Sequence, residues 1–335
     1  MGASAALSLA ERGHDVTLFE ARGPGHKLGS SHGLSRIVRR AYPDEFYTAL
    51  MEQAYPLWGE LEEKCGERLL HEVGLLYFGC ESSPTVCSML RALGALGVRH
   101  SVLGPAECGE AMAGLRVSPN EIGILTPEAG WVDAARAWGV TVRLALDAGV
   151  VVRGEASVSV ESLEAGFDAV GLAVGPWIRR WVDVPVRVTL QTFAYLDVPE
   201  RDGPVWIEDG GSILYGFPYD PRAAGMKIGM HLGGQEIDPD EPERVPSAEV
   251  LASLQEFCAR RLGEPDARVL TAEGCLYTST ANEDFLVGSA GERTWFVSAC
   301  SGHGFKFGPW SGRLLADFML GLDSPRLHER FYWEG

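Results

Sequence analysis

The chain has 335 residues, 46% hydrophobic and 22% charged, which is typical of a globular protein, and no apolar run approaches the roughly 20 residues of a membrane-spanning helix. Its formal net charge of −17 disfavours nucleic acid and anionic membranes as partners. The seven cysteines are scattered without a CxxC pair, which argues against a disulfide framework or a metal site and favours a reducing cytoplasm.

The start of the chain indicates part of a dinucleotide-binding βαβ unit. Residues 2–13 predict a helix of small residues closed by a glycine, and residues 16–19 predict a short apolar strand that ends at Glu20. In such a unit Gly2 would let the helix pack closely, and Glu20 would bind the ribose hydroxyls of an adenosine. The first strand and the first glycines of the unit are missing before Met1.

The remaining elements predict an α/β fold with two interwoven domains. Helices are expected at residues 46–66 (with a kink at Pro56), 131–146, 246–262 and 311–320, and buried strands at 73–79, 169–175, 275–280 and 295–299. Four successive strands at 188–196, 205–208, 212–217 and 226–229 indicate an antiparallel sheet. We therefore predict a discontinuous nucleotide-binding domain, residues 1–79, 130–184 and 270–335, and a substrate domain, residues 80–129 and 185–269.

A basic loop stands out in this acidic chain. Residues 31–42 include His32, Arg36, Arg39 and Arg40 within nine positions. A solvated basic face is the ordinary explanation. The alternative is a loop that presents His32 and Arg36 to a bound cofactor and Arg39 to an anionic substrate, because a planar guanidinium binds a carboxylate through two hydrogen bonds.

Polar side chains also occur within predicted strands. Lys227, Gly229 and His231 share one face of a strand, and a buried lysine and histidine are costly unless they are used. The segment that contains Tyr215 precedes them. Cys275 lies alone in a later strand, where a small buried hydrophobic residue is the default explanation.

A glycine-rich segment follows near the end of the chain. Gly302 and Gly304 flank His303, which lets a backbone approach a planar ligand closely, and Lys306 stands between two phenylalanines. As an isolated signal this motif is weak, because a helix-entry turn has a similar pattern.

Together the order and spacing of these motifs resemble the monomeric sarcosine oxidase and N-methyltryptophan oxidase family, FAD-dependent amine oxidases of the D-amino-acid-oxidase-like superfamily. The resemblance covers nearly the whole chain. Its most specific pieces are SHGLSRIVR (31–39), YGFP (215–218), KIGMH (227–231), GCLYT (274–278) and SGHGFKF (301–307).

The resemblance implies specific roles for these residues. Cys275 would carry FAD through an 8α-S-cysteinyl bond, and Arg39 and Lys306 would hold a substrate carboxylate. Lys227 would lie where oxygen reacts. It also implies a substrate pocket lined by Tyr215, His231 and Tyr277, catalytic roles for Lys227, His231, Tyr215, Arg36 and His32, and cofactor contacts from Gly2, Glu20, His32, Arg36, Gly175, Trp177, Gly302, His303, Gly304 and Lys306.

The implied reaction is oxidation of a secondary amino acid, N-methyl or cyclic, to an imine, with reduction of O2 to H2O2. The implied enzyme is a cytoplasmic monomer without metal, nucleic acid or membrane partners. Two alternatives stay open: a dehydrogenase of the same fold that uses another electron acceptor, and a flavin-free relative with a binding role.

Overall fold

A computed structural model of the chain describes residues 1–23, 25–154, 158–324, 326 and 328–333. Its α-helices are α1 (Gly2–Ala10), α2 (Glu45–Cys65), α3 (Pro84–Ala95), α4 (Pro105–Ala111), α5 (Ala134–Asp147), α6 (Val160–Gly166), α7 (Ala248–Phe257) and α8 (Gly308–Met319). Short 3₁₀ helices cover Gly175–Arg180, Gly304–Phe307 and Glu329–Phe331, and a π-helical turn covers Cys258–Leu262. None of the described helices combines the length and the apolar character that crossing a membrane requires.

The strands are β1 (Thr17–Glu20), β2 (Ser35–Val38), β3 (Leu70–His71), β4 (Leu75–Cys80), β5 (Ser101–Leu103), β6 (Glu121–Thr126), β7 (Gly130–Asp133), β8 (Val151–Gly154), β9 (Val170–Leu172), β10 (Arg187–Asp197), β11 (Val205–Asp209), β12 (Ile213–Asp220), β13 (Gly225–His231), β14 (Gln235–Glu236), β15 (Arg268–Ser279), β16 (Leu286–Ser289), β17 (Thr294–Ser298) and β18 (Tyr332–Trp333). Within the described residues they form sheets of nine, four, three and two strands.

The nine-stranded sheet has the order β14-β10-β13-β12-β11-β4-β6-β5, and β15 also pairs along β10. Its neighbouring strands are antiparallel except for β11 and β4, which are parallel. The long β10–β15 pair runs from Arg187 opposite Ser279 to Asp197 opposite Arg268. This pairing brings the strand of Cys275 into the sheet that also carries Lys227 and Tyr215.

Side chains along the strands of the nine-stranded sheet point alternately to its two faces. One face lines a cavity, and the other is covered by a helix. Tyr215 lies opposite Ile207 on one neighbouring strand and opposite Gly229 on the other, so these three residues share a face. Lys227 and His231 stand two positions from Gly229 along β13 and point the same way. The shared face predicted for the three β13 residues thus extends to Tyr215.

The opposite face of this sheet packs on α7. Trp206, Leu214 and Ile228 are buried there, and the Trp206 ring stacks on Phe257 with 4.2 Å between ring centroids. Burying side chains of this size stabilises a fold by about 1.5–3 kcal/mol each. Packing on α7 therefore stabilises one face of the sheet, and the other face, its front, carries polar side chains.

The remaining sheets and α1, α5 and α8 form the part of the molecule that the sequence predicts to be nucleotide-binding. Strand β1 pairs in parallel with β8, and the four-stranded sheet has the order β18-β16-β17-β9. Helix α1 packs against α8 so closely that a Cβ at Gly312 would overlap Ser4 and the backbone of Ala5. A Cβ at Gly2 would lie 3.5 Å from Ala173 Cβ and 3.7 Å from Leu18 Cδ1, which is ordinary van der Waals contact, so the packing around Gly2 has room for a Cβ.

Helix α2 connects the two parts of the molecule. The Asp44 carboxylate accepts a hydrogen bond from Phe46 N at its start, and Gly66, with φ of 66°, ends it. The helix continues through Pro56, where a kink was predicted. On its buried face the Trp58 indole N–H donates to the backbone oxygen of Lys306 at 2.8 Å, so α2 holds the segment that carries this lysine.

Three predicted boundaries need correction. Leu75–Cys80, assigned mostly to the nucleotide-binding segment 1–79, forms a strand within the nine-stranded sheet. Arg268–Ser279, assigned mostly to the segment 270–335, pairs with β10 in the same sheet. The predicted helix 131–146 starts later, because Gly130–Asp133 forms a strand. An apolar pattern indicates that a strand is buried, but it does not indicate which sheet buries it.

Candidate active site

One cavity of about 3060 Å³ lies between the nucleotide-binding part and the front of the nine-stranded sheet. This exceeds the roughly 300–1,000 Å³ of an ordinary small-molecule pocket, so the cavity has room for a dinucleotide together with a substrate. It is lined by all the site residues that the sequence predicts: Gly2, Glu20, His32, Arg36, Arg39, Gly175, Trp177, Tyr215, Lys227, His231, Cys275, Tyr277, Gly302, His303, Gly304 and Lys306. The fold therefore brings the separated motifs into one chamber.

Backbone carbonyls of the loop before β2 surround the guanidinium of Arg36, which lies in β2. Arg36 Nη1 donates to Ser35 O at 3.0 Å, and Nη2 donates to Ser30 O at 3.1 Å and to His32 O. These carbonyls hold the guanidinium in place, and Nη2 lies 4.0 Å from Cys275 Sγ. A positive charge thus stands beside the thiol.

His32 in the same loop has only 6% of its side chain exposed. Its Nδ1 lies 2.7 Å from Gly29 O, and its Nε2 lies 3.6 Å from the Glu273 carboxylate. Burial lowers the pKa of His32, and the charge of Arg36 acts in the same direction, while Gly29 O and Glu273 oppose it. The imidazole is therefore neutral at pH 7 and its Nδ1–H donates to the carbonyl of Gly29.

Cys275 is buried in β15, 7% exposed, where it packs with Phe193 and Tyr195. All seven cysteines of the chain are free thiols. Cys300 also lines the cavity, and burial raises the pKa of its thiol. Two thiols therefore face the chamber, and Cys275 is the one with Arg36 beside its sulfur.

Lys227 is a buried lysine, 2% exposed. Its Nζ donates to Ser35 O at 2.9 Å and lies 4.5 Å from the Phe193 ring centroid and 4.9 Å from that of Phe217. Burial lowers the pKa of Lys227 well below its ordinary value, and the charge of Arg36 lowers it further. A lysine held by one carbonyl and two aromatic faces keeps capacity to stabilise a small anion.

Two further cations, Arg39 and Lys306, lie against one tyrosine. Lys306 is 5% exposed, and its Nζ donates to Tyr42 Oη at 3.0 Å and to His303 O at 2.9 Å. Arg39 donates to Ala41 O, and its guanidinium carbon lies 4.2 Å from the Tyr42 ring centroid. Burial and the charge of Arg39 lower the pKa of Lys306 well below its ordinary value. This arrangement favours an anionic ligand that relieves the repulsion between the two cations.

His303 connects this pair to the rest of the chamber. Its Nδ1 lies 3.1 Å from Tyr42 Oη, and its Nε2 lies 3.1 Å from Glu283 O. The imidazole stacks on Phe285 with 4.9 Å between centroids. Burial and the charge of Lys306 lower the pKa of His303 well below its ordinary value, so the ring is neutral at pH 7.

The two glycines around His303 are required by the protein's own packing. Gly302 has φ of 71°, and a Cβ there would overlap the Tyr277 ring and lie 2.8 Å from His231 Cε1. A Cβ at Gly304 would overlap the carbonyl of Ala299. Contacts of the turn with the chamber wall therefore explain these glycines. The sequence predicts a second reason, which is the close approach of the turn to a planar ligand.

Tyr215, His231 and Tyr277 form that wall. The rings of His231 and Tyr277 lie 5.6 Å apart between centroids. Burial raises the pKa of Tyr215 to about 12 and the pKa of Tyr277 well above its ordinary value. Burial, with two nearby cations, lowers the pKa of His231 to about 4. At pH 7 the wall is uncharged and offers two phenol O–H groups and a neutral imidazole.

The other predicted residues surround the nucleotide end of the chamber. Glu20, at the end of β1, accepts a hydrogen bond from Arg22 N at 2.9 Å and lies 3.4 Å from His26 Nε2. Gly2 begins α1 at the same end, so its helix N-terminus faces a region suited to phosphate.

Residues 238–244 follow β14 of the nine-stranded sheet and form a strap that reaches this end of the chamber. Asp240 Oδ1 accepts hydrogen bonds from Arg22 Nη2 at 2.7 Å and from the Trp177 indole N–H at 2.8 Å, and Oδ2 accepts one from Arg180. Gly175, with φ of 55°, begins the 3₁₀ helix that carries Trp177. One carboxylate therefore joins three side chains around the chamber.

Sequence reasoning missed Tyr42, Glu283 and Asp240. Tyr42 ends the basic loop three positions after Arg39, so the motif contained a signal for it. Glu283 lines the chamber with φ of 62°, and burial raises the pKa of its carboxyl group. Asp240 ends the segment 233–240, which also resembles the family although no role was assigned to it, whereas Glu283 stands in no pattern that marks it.

The chamber fits the FAD that the motifs predict. Arg36 and Lys227 would place basic groups beside a ring that becomes anionic on reduction, and the glycine-lined turn at Gly302 would allow a close backbone approach. The end near Glu20 and Gly2 has the acid and the helix start that an adenosine and a pyrophosphate require.

Comparisons with known proteins agree with this assignment. Residues 1–318 match the model of the family described as FAD dependent oxidoreductase. The peroxisomal sarcosine oxidase of Mus musculus is 27% identical over an alignment of 351 positions, and the alignment covers 96% of this chain and 90% of the relative. The N-methyl-L-tryptophan oxidase of Salmonella heidelberg (strain SL476) is 28% identical over an alignment of 346 positions, which covers 96% of this chain and 92% of the relative.

The fold is also that of solved flavoenzymes. NikD, an unusual amino acid oxidase essential for nikkomycin biosynthesis, superposes with a TM-score of 0.84 at 22% identity, covering 98% of this chain and 94% of that chain. The predicted α/β fold is thereby confirmed. With a family match over 318 of 335 residues, the chain belongs to the FAD-dependent oxidoreductase family.

Proposed function

We propose that the protein oxidises a secondary amino acid, N-methyl or cyclic, to its imine and reduces O2 to H2O2. The likeness to sarcosine and N-methyl-L-tryptophan oxidases supports an amine as the reductant. The observation that carries the proposal is the pair of basic side chains, half-buried Arg39 and buried Lys306, in the same chamber as Cys275.

Arg39 and Lys306 would bind the substrate carboxylate. An amine held beside these two cations loses its proton more readily than it does in water, because a like charge disfavours the ammonium form. Tyr215, His231 and Tyr277 add no negative charge that would oppose this loss. The neutral amine has the lone pair that its oxidation requires.

When bound, FAD accepts a hydride from the carbon next to the amine nitrogen. Cys275 would hold it through an 8α-S-cysteinyl bond, a proposal supported by the burial of this thiol in the chamber and by the Arg36 guanidinium 4.0 Å from its sulfur. His32 and Arg36 would border the ring, and Glu20, Gly2, Gly175 and Trp177 would contact the nucleotide.

Lys227 would stabilise the superoxide anion formed when O2 takes the first electron. Its Nζ is buried and bonded to Ser35 O, so its position does not depend on solvent. Preorganised positive charge in a water-excluded site stabilises a developing anion more strongly than water does. We also propose a monomer in the cytoplasm, a location supported by the seven cysteines, none of which forms a disulfide in the structure.

The test combines three measurements on purified protein. Precipitation with acid separates attached from free flavin, and flavin that stays with the wild-type protein but leaves Cys275→Ala supports the covalent bond. Bleaching of the flavin without oxygen identifies a substrate among sarcosine, N-methyltryptophan and pipecolate. Oxygen consumption with formation of H2O2 then identifies the acceptor.

Each alternative has its own outcome. Bleached flavin that oxygen does not restore but a quinone does would show a dehydrogenase. A colourless protein that takes up no FAD would show a flavin-free relative. Uptake of FAD without bleaching by any amino acid would contradict the proposed reaction.

A further inference from the structure

We propose that Tyr42 is the positioning residue of the carboxylate clamp, its ring carrying Arg39 and its hydroxyl holding Lys306 as the ammonium that binds the substrate. The inference rests on the proposed function in one respect, since it takes the substrate to be a carboxylate. Nothing in the sequence motifs gives Tyr42 this role.

Tyr42 contacts both cations of the clamp. Its ring lies under the Arg39 guanidinium at 4.2 Å, and its hydroxyl lies 3.0 Å from Lys306 Nζ. The side chain is 6% exposed, and its ring stacks on Tyr47 with 5.4 Å between centroids. A rigid aromatic ring thus sets the distance between two charges that repel each other.

The hydrogen bonds around Tyr42 have one consistent direction. Glu283 O can only accept, so the hydrogen of the neutral His303 ring is on Nε2. His303 Nδ1 then has a lone pair, and the Tyr42 hydroxyl donates its hydrogen to it. The Tyr42 oxygen is left to accept a hydrogen from Lys306 Nζ.

This direction favours the charged form of Lys306. The ammonium has three N–H bonds, of which Tyr42 Oη and His303 O accept two and the third is available to a carboxylate. A neutral amine could keep these two hydrogen bonds, because it has two N–H bonds. Hydrogen bonds donated by an ammonium are roughly twice as strong as those of a neutral donor, so the two acceptors favour the charged form and oppose loss of the proton.

Several titratable or charged groups lie around the same lysine. The titratable and charged side chains around it, from the loop after β2, from α2, from β13, from the turn after β15 and from its own segment, are Arg39, Tyr42, Tyr47, His231, Glu283 and His303. Burial and Arg39 lower the pKa of Lys306. By accepting a hydrogen bond from the ammonium form of Lys306, Tyr42 opposes burial and the charge of Arg39, which both lower the pKa of this lysine.

The experiment uses flavin-loaded protein and two probes, benzoate and its uncharged analogue benzamide. Their binding is followed by flavin absorbance between about pH 6 and pH 10. Wild-type protein should bind benzoate more weakly as pH rises and Lys306 loses its proton. Tyr42→Phe keeps the ring but removes the hydroxyl, so this decline should start at lower pH, with binding about tenfold weaker at pH 8. Benzamide binding should change less than about twofold.

Two variants separate a positioning role from a structural one. Tyr47→Phe is the matched control, because Tyr47 stacks on Tyr42 but its hydroxyl donates to Asp284 at 3.0 Å, and its benzoate profile should follow the wild type. His303→Phe removes the acceptor of the Tyr42 hydrogen, so it should also move the decline to lower pH. With an oxidisable substrate, Tyr42→Phe should raise KM and leave kcat within about threefold.

The proposal is overturned if the benzoate profiles of Tyr42→Phe and His303→Phe superimpose on that of the wild type, or if Tyr42→Phe weakens benzamide as much as benzoate. Failure of the proposed function has a different signature. Lys306→Met would then bind benzoate as tightly as the wild type, which would show that no carboxylate clamp exists, whatever Tyr42 does.

Discussion

Two lysines of the chamber lie where burial disfavours their charged form. Lys227 and Lys306 are almost completely buried, and in both the pKa is lowered by burial first and by an arginine second. Each is held by backbone carbonyls, Lys227 by Ser35 O and Lys306 by His303 O. A buried lysine without such acceptors would become neutral, so these carbonyls are part of the chemistry.

At this scale we predict the effect of removing the charge of Lys227. Lys227→Met keeps the length of the side chain but removes the cation, so reoxidation of reduced flavin by O2 should slow by about 10²-fold. Flavin reduction by the substrate should change by less than about threefold, because the substrate contacts other residues. Stopped-flow absorbance measures both half-reactions separately.

The control for this variant is Lys64→Met, which removes a lysine that pairs with Glu11 on the outer surface. It should leave both rates unchanged. Equal slowing of reduction and reoxidation in Lys227→Met would mean that the lysine supports the chamber rather than oxygen chemistry.

The lowered pKa of His231 predicts that the stability of the folded protein depends on pH. In the folded protein its pKa is about 4, whereas the ordinary value is 6.5, so the unfolded chain binds the proton at higher pH than the folded one does. Stability should therefore decline as pH falls from about 6.5 towards 4, and the decline should be smaller in His231→Asn. Thermal unfolding of FAD-free protein at about pH 7.5 and 4.5 measures it, with an expected difference of a few degrees (about 2–5 °C).

The exposed His14 provides the comparison for this experiment, since His14→Asn should retain the wild-type decline. A decline in His231→Asn as steep as that of the wild type would assign the acid sensitivity to other buried groups, of which His303 is the first to examine.

At the scale of elements, the strap formed by residues 238–244 joins parts that the chain order separates. Asp240 reaches Arg22 after β1 and both Trp177 and Arg180 of the 3₁₀ helix. These contacts are partly exposed, so each ion pair contributes little to stability, on the order of 0–1 kcal/mol. Because these contacts lie across the predicted nucleotide end, we expect the strap to slow the departure of a bound cofactor.

We predict that Asp240→Asn accelerates loss of FAD when the flavin is not covalently attached. In a Cys275→Ala background the FAD dissociation rate should rise about 3- to 10-fold, because the three side chains lose their charged acceptor. Fluorescence of the released flavin measures the rate. Glu243→Gln, which changes an exposed carboxylate of the same strap, should have no effect. Unchanged release from Asp240→Asn would contradict the barrier.

Element by element, local patterns predicted most helices and strands but not their partners. The alternation in β13 was sufficient to place Lys227, Gly229 and His231 on one face, because side chains of a strand alternate wherever it lies. The membership of Leu75–Cys80 and Arg268–Ser279 in the nine-stranded sheet was not predicted, because it depends on hydrogen bonds to β11 and β10, which are distant in sequence.

At the scale of the whole molecule, the chamber between the two parts couples folding to the cofactor. A ligand that binds only the folded state stabilises it by about 4 kcal/mol at 1,000 times its Kd. In Cys275→Ala the unfolding temperature should therefore rise with added FAD. In wild-type protein with attached flavin it should not depend on added FAD, and thermal unfolding at several FAD concentrations tests this. A concentration-dependent rise in the loaded wild type would contradict the covalent bond.

The sequence by itself determined the fold class, the family and the residue types of the chamber. It did so because spacing within a motif, such as Arg36 and Arg39 in one loop, is a local property that survives without knowledge of the fold. Only the tertiary structure decided which residues act on each other. Lys227 is bonded to a carbonyl 192 positions away, and Lys306 to the hydroxyl of Tyr42 264 positions away. Burial, which sets the pKa of both lysines, arises from packing between such segments and has no local pattern.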